Sequence, residues 1–361
     1  MFDYGTRLHR LQKALGHRAI DVAVLSVGSD LPYIAGYQAK PTERLTALVV
    51  PQTGEATLFI PDLEVARVKQ GPFRIRSWGE QENPIQLVAA ILGEARSVAI
   101  GDHMWSVFLI DLQKALPAVQ WVAASGVTRD LRIRKTTEEL EALRLAAAAV
   151  DRVLARIPDE VRFSGRHEAD VAQDIARMTV EEGCDRALFW IVASGPNSAS
   201  PHHEPGDRII ERGDLVVCDF GGSVSGYHSD VTRTFVVGEP NESQVLVHSV
   251  VLAASEAARE AVAPGVAAEV VDIAARRVIE GAGYGDQFIH RTGHGIGMEV
   301  HEHPYIVEGN HEPLDVGMTF SIEPGIYLEG QFGVRIEDIV VVSPDGVDLL
   351  NEADRGLNRV N

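Results

Sequence analysis

The sequence predicts a two-domain α/β protein, and three observations support this fold class. The chain has 361 residues, which is more than one compact domain usually holds. Its first part alternates helical and strand patterns, whereas its second part alternates long helices with apolar hairpins. Between the two parts, Thr136 and Glu139 have the spacing of a capping box, which marks a helix start. We therefore predict domains at residues 1–132 and 133–361.

The first domain is predicted to mix short helices with strands. Helical patterns cover residues 7–15, 85–92 and 108–116. Apolar runs predict strands at residues 19–26, 45–50, 56–60 and 98–100. The second and third of these strands flank Pro51 and Gly54, which indicates a hairpin. This domain holds few clustered residues of catalytic type, so the chemistry is expected in the second.

The second domain is predicted to contain a faint internal repeat. After the helix that starts at Thr136, helices are expected at residues 166–182, 244–262 and 267–281. Strands are expected at residues 187–193, 214–220, 230–237, 318–323 and 334–342. Two of the helices lead through Gly183 and Gly283 into apolar runs and then into hairpins that carry acids. A duplication explains this similarity, and chance is the alternative.

Composition and charge exclude several kinds of partner. The chain is 45% hydrophobic and 24% charged, as in an ordinary globular protein, and its net charge is −19. This acidic excess argues against nucleic acid and against anionic membranes as partners. No apolar run approaches the length of a membrane span, and the N-terminus lacks the pattern of a signal peptide. With only two cysteines in the chain, we expect a cytoplasmic protein.

The first predicted hairpin of interest carries two aspartates. Asp219 ends an apolar strand, residues 221–226 provide turn residues, and Asp230 begins the returning strand. A symmetric hairpin would place these two carboxylates opposite one another, about 5 Å apart at Cβ. Facing like charges destabilise a hairpin unless a cation neutralises them. The alternative is a solvated acid at each end of the hairpin, which fits poorly with the four apolar residues before Asp219.

A second hairpin repeats this arrangement with two glutamates. Glu323 ends the strand at residues 318–323, and Glu337 lies within the strand at residues 334–342. Their midpoint is Gly330, again a turn residue. Two such pairs of facing acids in one domain are hard to explain as solvated surface charges.

Histidines among glycines complete the predicted site. His290 and His294 follow an apolar run and lie beside Gly293, Gly295 and Gly297, which permit close approach to a crowded centre. A single loop histidine is more often solvated than ligating, but four acids with one imidazole form a hard, oxygen-rich set suited to two divalent cations. Such pairs of metal ions, about 3.5–4 Å apart, are typical of hydrolases. The sequence contains no His-Glu-x-x-His motif, no Gly-x-Ser-x-Gly elbow and no Walker phosphate loop.

These motifs resemble the pita-bread metallopeptidases, and among them the proline-specific Xaa-Pro dipeptidases (prolidases) and aminopeptidases P. The similar segments cover essentially the whole second domain, and they are Ser194-Gly195-Pro196-Asn197 through His202, Asp219-Phe220-Gly221-Gly222, His228 to Thr234, His290 to Gly297, His301-Glu302-His303-Pro304, Glu323 to Tyr327, and Val334 to Asp338. The first domain is similar, more weakly, to the creatinase/prolidase N-terminal α/β domain through Tyr33 to Tyr37. The resemblance implies a methionine aminopeptidase-like α+β fold with pseudo-twofold symmetry for the second domain.

The resemblance also assigns a role to each motif residue. Asp219 would hold one metal ion and His294 with Glu323 the other, while Asp230 and Glu337 would bridge both. His202 and His290 would line the substrate site. His301 would stabilise the tetrahedral intermediate, and Arg335 would support a bridging acid or bind substrate. The chemistry of peptide hydrolysis also requires a carboxylate that carries a proton to the leaving nitrogen, and we assign this role to Glu323.

The implied function is hydrolysis of Xaa-Pro bonds, most simply in dipeptides with proline at P1′. Two divalent ions are implied, with Mn²⁺ favoured over Co²⁺ or Zn²⁺, and the resemblance suggests a homodimer. The alternatives are an aminopeptidase P that acts on longer peptides and an inactive binding module on the same fold, as some relatives have lost the metal ligands. Two roles stay open: Tyr327 is a core aromatic residue or a hydrogen-bond partner near the site, and Arg44 is more simply a surface salt bridge than a part of the site.

Overall fold

A computed structural model describes residues 2–361 and divides the chain into two compact units, which meet between Arg132 and Ile133. The helices are α1 (Tyr4–His17), α2 (Asp30–Ala35), α3 (Pro84–Leu92), α4 (Ser106–Ala115), α5 (Ser125–Arg132), α6 (Thr137–Glu160), α7 (Glu168–Glu181), α8 (Glu242–Glu260) and α9 (Ala268–Gly281). Among the described residues, no helix combines the length and the hydropathy that crossing a bilayer requires.

The first unit is built on one mixed sheet of six strands. These strands are β1 (Val22–Leu25), β2 (Ala47–Pro51), β3 (Thr57–Pro61), β4 (Arg74–Trp78), β5 (Ser97–Ile100) and β6 (Gln120–Ala123). Their order is β4-β3-β2-β1-β5-β6, and the predicted hairpin is the antiparallel pair β2 and β3. Helices α3 and α4 cover the sheet with Val88 and Leu112, which are fully buried against Val24 and Val49.

The second unit contains two sheets and a two-stranded ribbon. Its strands are β7 (Arg186–Ser194), β8 (Leu215–Val224), β9 (Tyr227–His228), β10 (Val231–Val237), β11 (Gly293–Gly295), β12 (Glu302–Ile306), β13 (Thr319–Ile322), β14 (Gly325–Leu328), β15 (Phe332–Arg335), β16 (Asp338–Ser343), β17 (Gly346–Leu349) and β18 (Asn358–Val360). One sheet has the order β18-β10-β8-β7, with β9 paired to β8, and the other has the order β12-β11-β13-β16-β17.

Each of these sheets packs against its own pair of helices. Val150 of α6 and Ile175 of α7 share a core with strands β7, β8 and β10. Val251 of α8 and Val271 of α9 share another core with strands β13 and β16. The two helices of the predicted repeat, α7 and α9, each have 14 residues. The second unit is therefore arranged as two similar halves, as the predicted pseudo-twofold symmetry requires.

The first acid hairpin differs in register from the prediction. Asp219 pairs with Thr232, so Asp219 and Asp230 are diagonal rather than directly opposed. The turn is shorter than expected and consists of Ser225 and Gly226, which have φ values of 53° and 82°, as in a type I′ turn. Gly221 and Gly222 lie within β8 instead of the turn. A Cβ atom on Gly221 would lie 2.2 Å from the Ser229 carbonyl oxygen, so this glycine serves close packing.

The second acid hairpin has the predicted register but a different strand division. Ile322 pairs with Asp338 and Gly325 pairs with Arg335, so Glu323 and Glu337 occupy facing positions between two ladders. The single strand predicted at residues 334–342 is two strands, β15 and β16, because Glu337 leaves the ladder there. Its backbone N–H instead donates to the Thr232 carbonyl oxygen at 3.1 Å, which joins the two halves of the unit.

Candidate metal centre

The residues predicted to form the site line one cavity of the second unit. The cavity has a volume of about 640 Å³. All nine predicted residues contribute to its wall: His202, Asp219, Asp230, His290, His294, His301, Glu323, Arg335 and Glu337. Phe189, Ile191 and Val300 supply apolar parts of the wall that the sequence analysis did not identify.

Strand alternation explains why Asp219 and Glu323 face the cavity. Cys218 and Phe220 belong to the core beneath the first sheet, so Asp219 between them points to the other face. Phe320 and Ile322 belong to the core beneath the second sheet, and Glu323 accordingly points away from that core. The buried position of Cys218 agrees with a packing role for this thiol.

The tightest cluster in the cavity consists of Asp230, His294 and Glu337. Each offers one ligand atom, and these atoms all lie within 4.8 Å of one another. The three residues are only 4%, 2% and 1% exposed. Asp219 and Glu323 line the same cavity around this cluster. The sequence analysis therefore identified residues that lie far apart in the chain and come together in the fold.

Several carboxylate oxygens in and beside this cluster lack a partner among residues 2–361. They are Asp219 Oδ1, Asp230 Oδ1 and Glu337 Oε1, all of which are buried. Buried polar atoms without a partner are rare, because desolvation makes them costly. Hard divalent cations are the partners that such carboxylates and a neutral imidazole prefer. The donor set of this cavity thus fits divalent metal ions.

Burial and mutual repulsion perturb the ionisation of the acids. Burial together with the nearby Glu337 and Asp219 raises the pKa of Asp230 well above its usual range. Burial, with Glu323 and Asp219, has the same effect on the pKa of Glu337. Burial raises the pKa of Glu323 to about 7. Acids that resist ionisation for these reasons are stabilised as anions when a cation lies among them.

His294 is held in the form that can ligate a metal ion. Burial and the adjacent His301 lower the pKa of His294 to about 3, so the ring is neutral. Its Nδ1 lies 3.1 Å from the Gly295 carbonyl oxygen and therefore carries the hydrogen. Nε2 is left with a free lone pair, 3.3 Å from Glu323 Oε1 and 3.6 Å from Asp230 Oδ2. This tautomer directs a donor atom towards the carboxylates.

Arg335 connects the acids to one side of the cavity. Its Nη2 donates to Asp219 Oδ2 at 2.6 Å, and its Nη1 donates to the Tyr327 hydroxyl at 2.9 Å. The same hydroxyl lies 2.8 Å from His290 Nε2, which accepts its hydrogen because Nδ1 donates to the Arg291 carbonyl. Burial and Arg335 lower the pKa of His290 to about 4. Tyr327 is thus a hydrogen-bond partner at the site, which resolves its predicted alternatives.

Thr232 is a further contact that the sequence analysis missed. Its hydroxyl donates to Glu337 Oε2 at 2.7 Å and accepts from Arg335 Nε at 3.1 Å. A threonine between Asp230 and Arg233 is a local signal that could have identified it, because its side chain shares the face of Asp230.

The other two cavity histidines differ in their surroundings. The ring of His301 lies edge-on to that of His294, with centroids 4.2 Å apart. Burial and Arg291 lower the pKa of His301, so this ring is predominantly neutral at pH 7. His202 also lines the cavity, but its side chain is exposed. Outside the cavity, Arg44 in the first unit donates to Glu80 at 2.9 Å, the surface salt bridge that was expected.

Comparison with known proteins places both parts of the chain in described families. The model of metallopeptidase family M24 matches residues 141–344, and the model of the creatinase/prolidase N-terminal domain matches residues 7–134. Probable dipeptidase PepE from Mycobacterium tuberculosis is 46% identical over 98% of this chain and 96% of its own. The Xaa-Pro dipeptidase from Pyrococcus furiosus is 34% identical over 97% of this chain and 99% of its own.

A solved structure confirms the predicted fold class. Prolidase from Thermococcus sibiricus superposes with a TM-score of 0.96 at 39% identity, and the match covers 100% of both chains. A creatinase-type N-terminal domain is thus joined to a pita-bread domain, whose buried cluster of acids and imidazole suits divalent metal ions. The chain belongs to metallopeptidase family M24.

Proposed function

We propose that this protein is an Xaa-Pro dipeptidase, which releases proline from dipeptides with the help of two divalent metal ions. The observation that carries the proposal is the cluster of buried carboxylate oxygens without partners beside the free lone pair of His294. The names of similar proteins, Xaa-Pro dipeptidase and prolidase, support the substrate class. Proline at P1′ makes the scissile bond a tertiary amide without an N–H, which calls for a dedicated site.

Five residues are proposed to hold the metal ions. Asp230 and Glu337 would be shared by the two metal ions, Asp219 would hold one ion, and His294 with Glu323 would hold the other. When bound, the two ions supply Lewis-acid polarisation of the carbonyl and lower the pKa of water. We propose Mn²⁺ as the ion, with Co²⁺ and Zn²⁺ as alternatives, because carboxylate oxygens outnumber nitrogen donors and no cysteine lines the cavity.

The remaining residues bind substrate and handle protons. Glu323 would take a proton from the attacking water and give it to the proline nitrogen as the C–N bond breaks, because its carboxylate lies in the cavity beside the other proposed ligands. The His301 ring donates a hydrogen bond to the developing oxyanion. His202 and His290 line the substrate site, and Arg335 orients Asp219 through their 2.6 Å hydrogen bond.

The first experiment tests the substrate class. Xaa-Pro dipeptides, Xaa-Pro-Yaa tripeptides and an Xaa-Ala dipeptide are compared in the presence of Mn²⁺, Co²⁺ and Zn²⁺ in turn. We expect kcat/KM to be highest for Xaa-Pro dipeptides. Equal turnover of the tripeptides would indicate an aminopeptidase P instead, and equal turnover of Xaa-Ala would contradict proline specificity.

A second experiment tests the metal dependence. Asp230→Ala and Glu337→Ala should each abolish activity, because each removes a bridging carboxylate. Metal content is measured on the same samples and on the unmodified protein. Less than about one equivalent of bound or activating metal in the unmodified protein would favour the inactive binding module.

We also propose that the protein is a cytoplasmic homodimer. Both cysteines, Cys184 and Cys218, are free thiols, as a reducing compartment would keep them. Because the net charge is acidic, we do not propose nucleic acid or anionic membranes as partners. Light scattering after size exclusion should give twice the mass of the chain, and a monomer mass would contradict the dimer. Cell fractionation tests the compartment.

A further inference from the structure

A buried carboxylate outside the metal cavity collects hydrogen bonds from an entire loop. Glu168 is the first residue of α7, and its side chain is 0% exposed. Its Oε1 accepts from the Ser194 backbone N–H at 2.7 Å, from the Ser194 hydroxyl at 2.6 Å and from Asn197 Nδ2 at 3.1 Å. Its Oε2 accepts from His203 Nε2 at 2.7 Å and from the Gly206 N–H at 3.5 Å. Both ends and the middle of the loop at residues 194–206 therefore bind one side chain.

The electrostatics of this contact require an anion. Burial alone would raise the pKa of Glu168, but the hydrogen bonds from Ser194, His203 and Asn197 outweigh it, and the pKa lies below its usual range. An ionised carboxylate only accepts hydrogen bonds, and all of its neighbours here donate. A glutamine at position 168 would have nearly the same size but only one accepting oxygen. Its NH₂ group would replace either Oε1 or Oε2 and would then face groups that also donate.

The opposite side of the loop contacts the strand that carries Arg335. The Gly333 N–H donates to the Ser198 hydroxyl at 2.8 Å, and Arg335 Nη1 donates to the Pro201 carbonyl oxygen at 3.4 Å. A Cβ atom on Gly333 would lie 2.0 Å from the Ser198 carbonyl oxygen, so the loop and β15 are in close contact. The loop is thus held between Glu168 on one side and the wall of the metal cavity on the other.

His202 depends on this loop for its position. Its side chain is exposed, so burial does not fix it, and it lines the cavity while its chain neighbours, Pro201 and His203, are held on either side. His203 is bound to Glu168, and Pro201 is bound to Arg335. We propose that Glu168 is a positioning residue, which fixes the loop at residues 194–206 and thereby directs His202 towards substrate. The effect on substrate rests on the proposed function, whereas the effect on the loop does not.

The first test measures the loop directly in the full chain. Glu168→Gln is compared with Asp170→Asn, which removes an equal charge from an exposed position in the same helical turn. In hydrogen–deuterium exchange, the amides of residues 195–206 should exchange about tenfold faster in the Glu168 variant and at the unmodified rate in the control. Equal exchange in the two variants would overturn the proposal, even if the protein cleaves no Xaa-Pro bond.

The second test separates positioning from a general loss of structure. Glu168→Gln should raise KM for an Xaa-Pro dipeptide about tenfold and change kcat less than about threefold. The affinity for Co²⁺, followed by its visible absorption, should not change, because Glu168 contacts none of the five proposed ligands. A parallel loss of Co²⁺ affinity would overturn the proposal, since it would show that the whole site collapses.

Double-mutant analysis tests whether Glu168 acts through His202. His202→Ala should raise KM by itself, and adding Glu168→Gln should raise it little further, because the two changes remove the same contact. Additive effects on KM would contradict the proposal. If Glu168→Gln does not fold, His203→Ala provides the same tests, because His203 is partly exposed and its loss removes only one of the hydrogen bonds to Glu168 Oε2.

Discussion

Replacing Lys135 by methionine tests how strongly a buried ion pair stabilises the loop that carries His301. Lys135 Nζ lies 2.7 Å from Glu302 Oε1, and the two side chains are 1% and 9% exposed. Glu302 directly follows His301, and a Cβ atom on Gly297 would lie 2.5 Å from the same Oε1. The substitution therefore removes the Lys135 cation from a buried carboxylate that directly follows His301 in the chain.

The structure allows the size of this effect to be worked out. At 2.7 Å and an effective dielectric constant of 20, the Coulomb attraction is about 6 kcal/mol. Part of this attraction only offsets the desolvation of the two charges. Removing one partner of a buried pair typically costs about 3–5 kcal/mol. For a unit of this size, each kcal/mol lowers Tm by about 2–4 °C, so we expect a decrease of about 6–20 °C.

Scanning calorimetry of the second unit's transition measures this decrease. The matched control is Arg134→Met, which removes the neighbouring cation from an exposed pair with Asp315 and should cost less than about 1 kcal/mol. Replacing both partners, Lys135→Met with Glu302→Leu, should recover much of the lost stability, because the buried carboxylate is removed together with the Lys135 cation. A Lys135→Met protein that melts within about 2 °C of the control would refute the reasoning.

Three other predictions concern the metal cluster, close backbone packing and pH. Asp230→Asn should lower the affinity for Mn²⁺ or Co²⁺ at least about a hundredfold in calorimetric titration, because it weakens a proposed ligand in the tightest cluster. An unchanged affinity would contradict the ligand role of Asp230. Gly293→Ala should lower the free energy of unfolding by about 1–3 kcal/mol, since its Cβ would lie 1.8 Å from the Ser321 carbonyl oxygen. In the control variant Gly281→Ala, the new Cβ meets no atom within 4 Å and should not destabilise the protein. Equal melting temperatures of the two variants would argue against the close contact at Gly293. Burial lowers the pKa of His248 to about 4, so the unfolded chain takes up a proton below about pH 6.5 while the folded chain does not, and stability falls as pH drops towards 4. His248→Leu should remove about 2–3 kcal/mol of this pH dependence between pH 7 and 4.5, and an unchanged slope would exclude His248 as its source.

The elements that the sequence analysis located best have local signals. The predicted capping box is present, with the Thr136 N–H donating to Glu139 at 2.7 Å, and α6 begins beside it. The helices predicted at residues 166–182 and 267–281 differ from α7 and α9 by at most two residues at either end. Such starts and ends depend on caps and on periodicity, both of which are visible in a short stretch of sequence.

The predicted register of the first acid hairpin was wrong because the segment contains several glycines that could each have formed the turn. Gly221, Gly222 and Gly226 all lie in the segment between the two aspartates. Only Gly226 of these three has positive φ, and it forms the turn with Ser225. Gly222 is required for another reason, because a Cβ atom there would lie 2.4 Å from Cys184 Sγ. That sulfur lies 38 positions earlier in the chain, so no local pattern could distinguish a packing glycine from a turn glycine.

The same distinction explains which parts of the site were predictable. The acids that line the cavity were singled out because each follows or interrupts an apolar strand, where a carboxylate without a partner is unusual. Glu168 and Lys135 have no comparable local signal, since an acid at a helix start and a lysine before a capping box are ordinary features of a sequence. Their partners lie 26 to 167 positions away. The acids of the cavity could thus be predicted from their local sequence context, whereas the contacts of Glu168 and Lys135 become visible only when the fold brings both partners together.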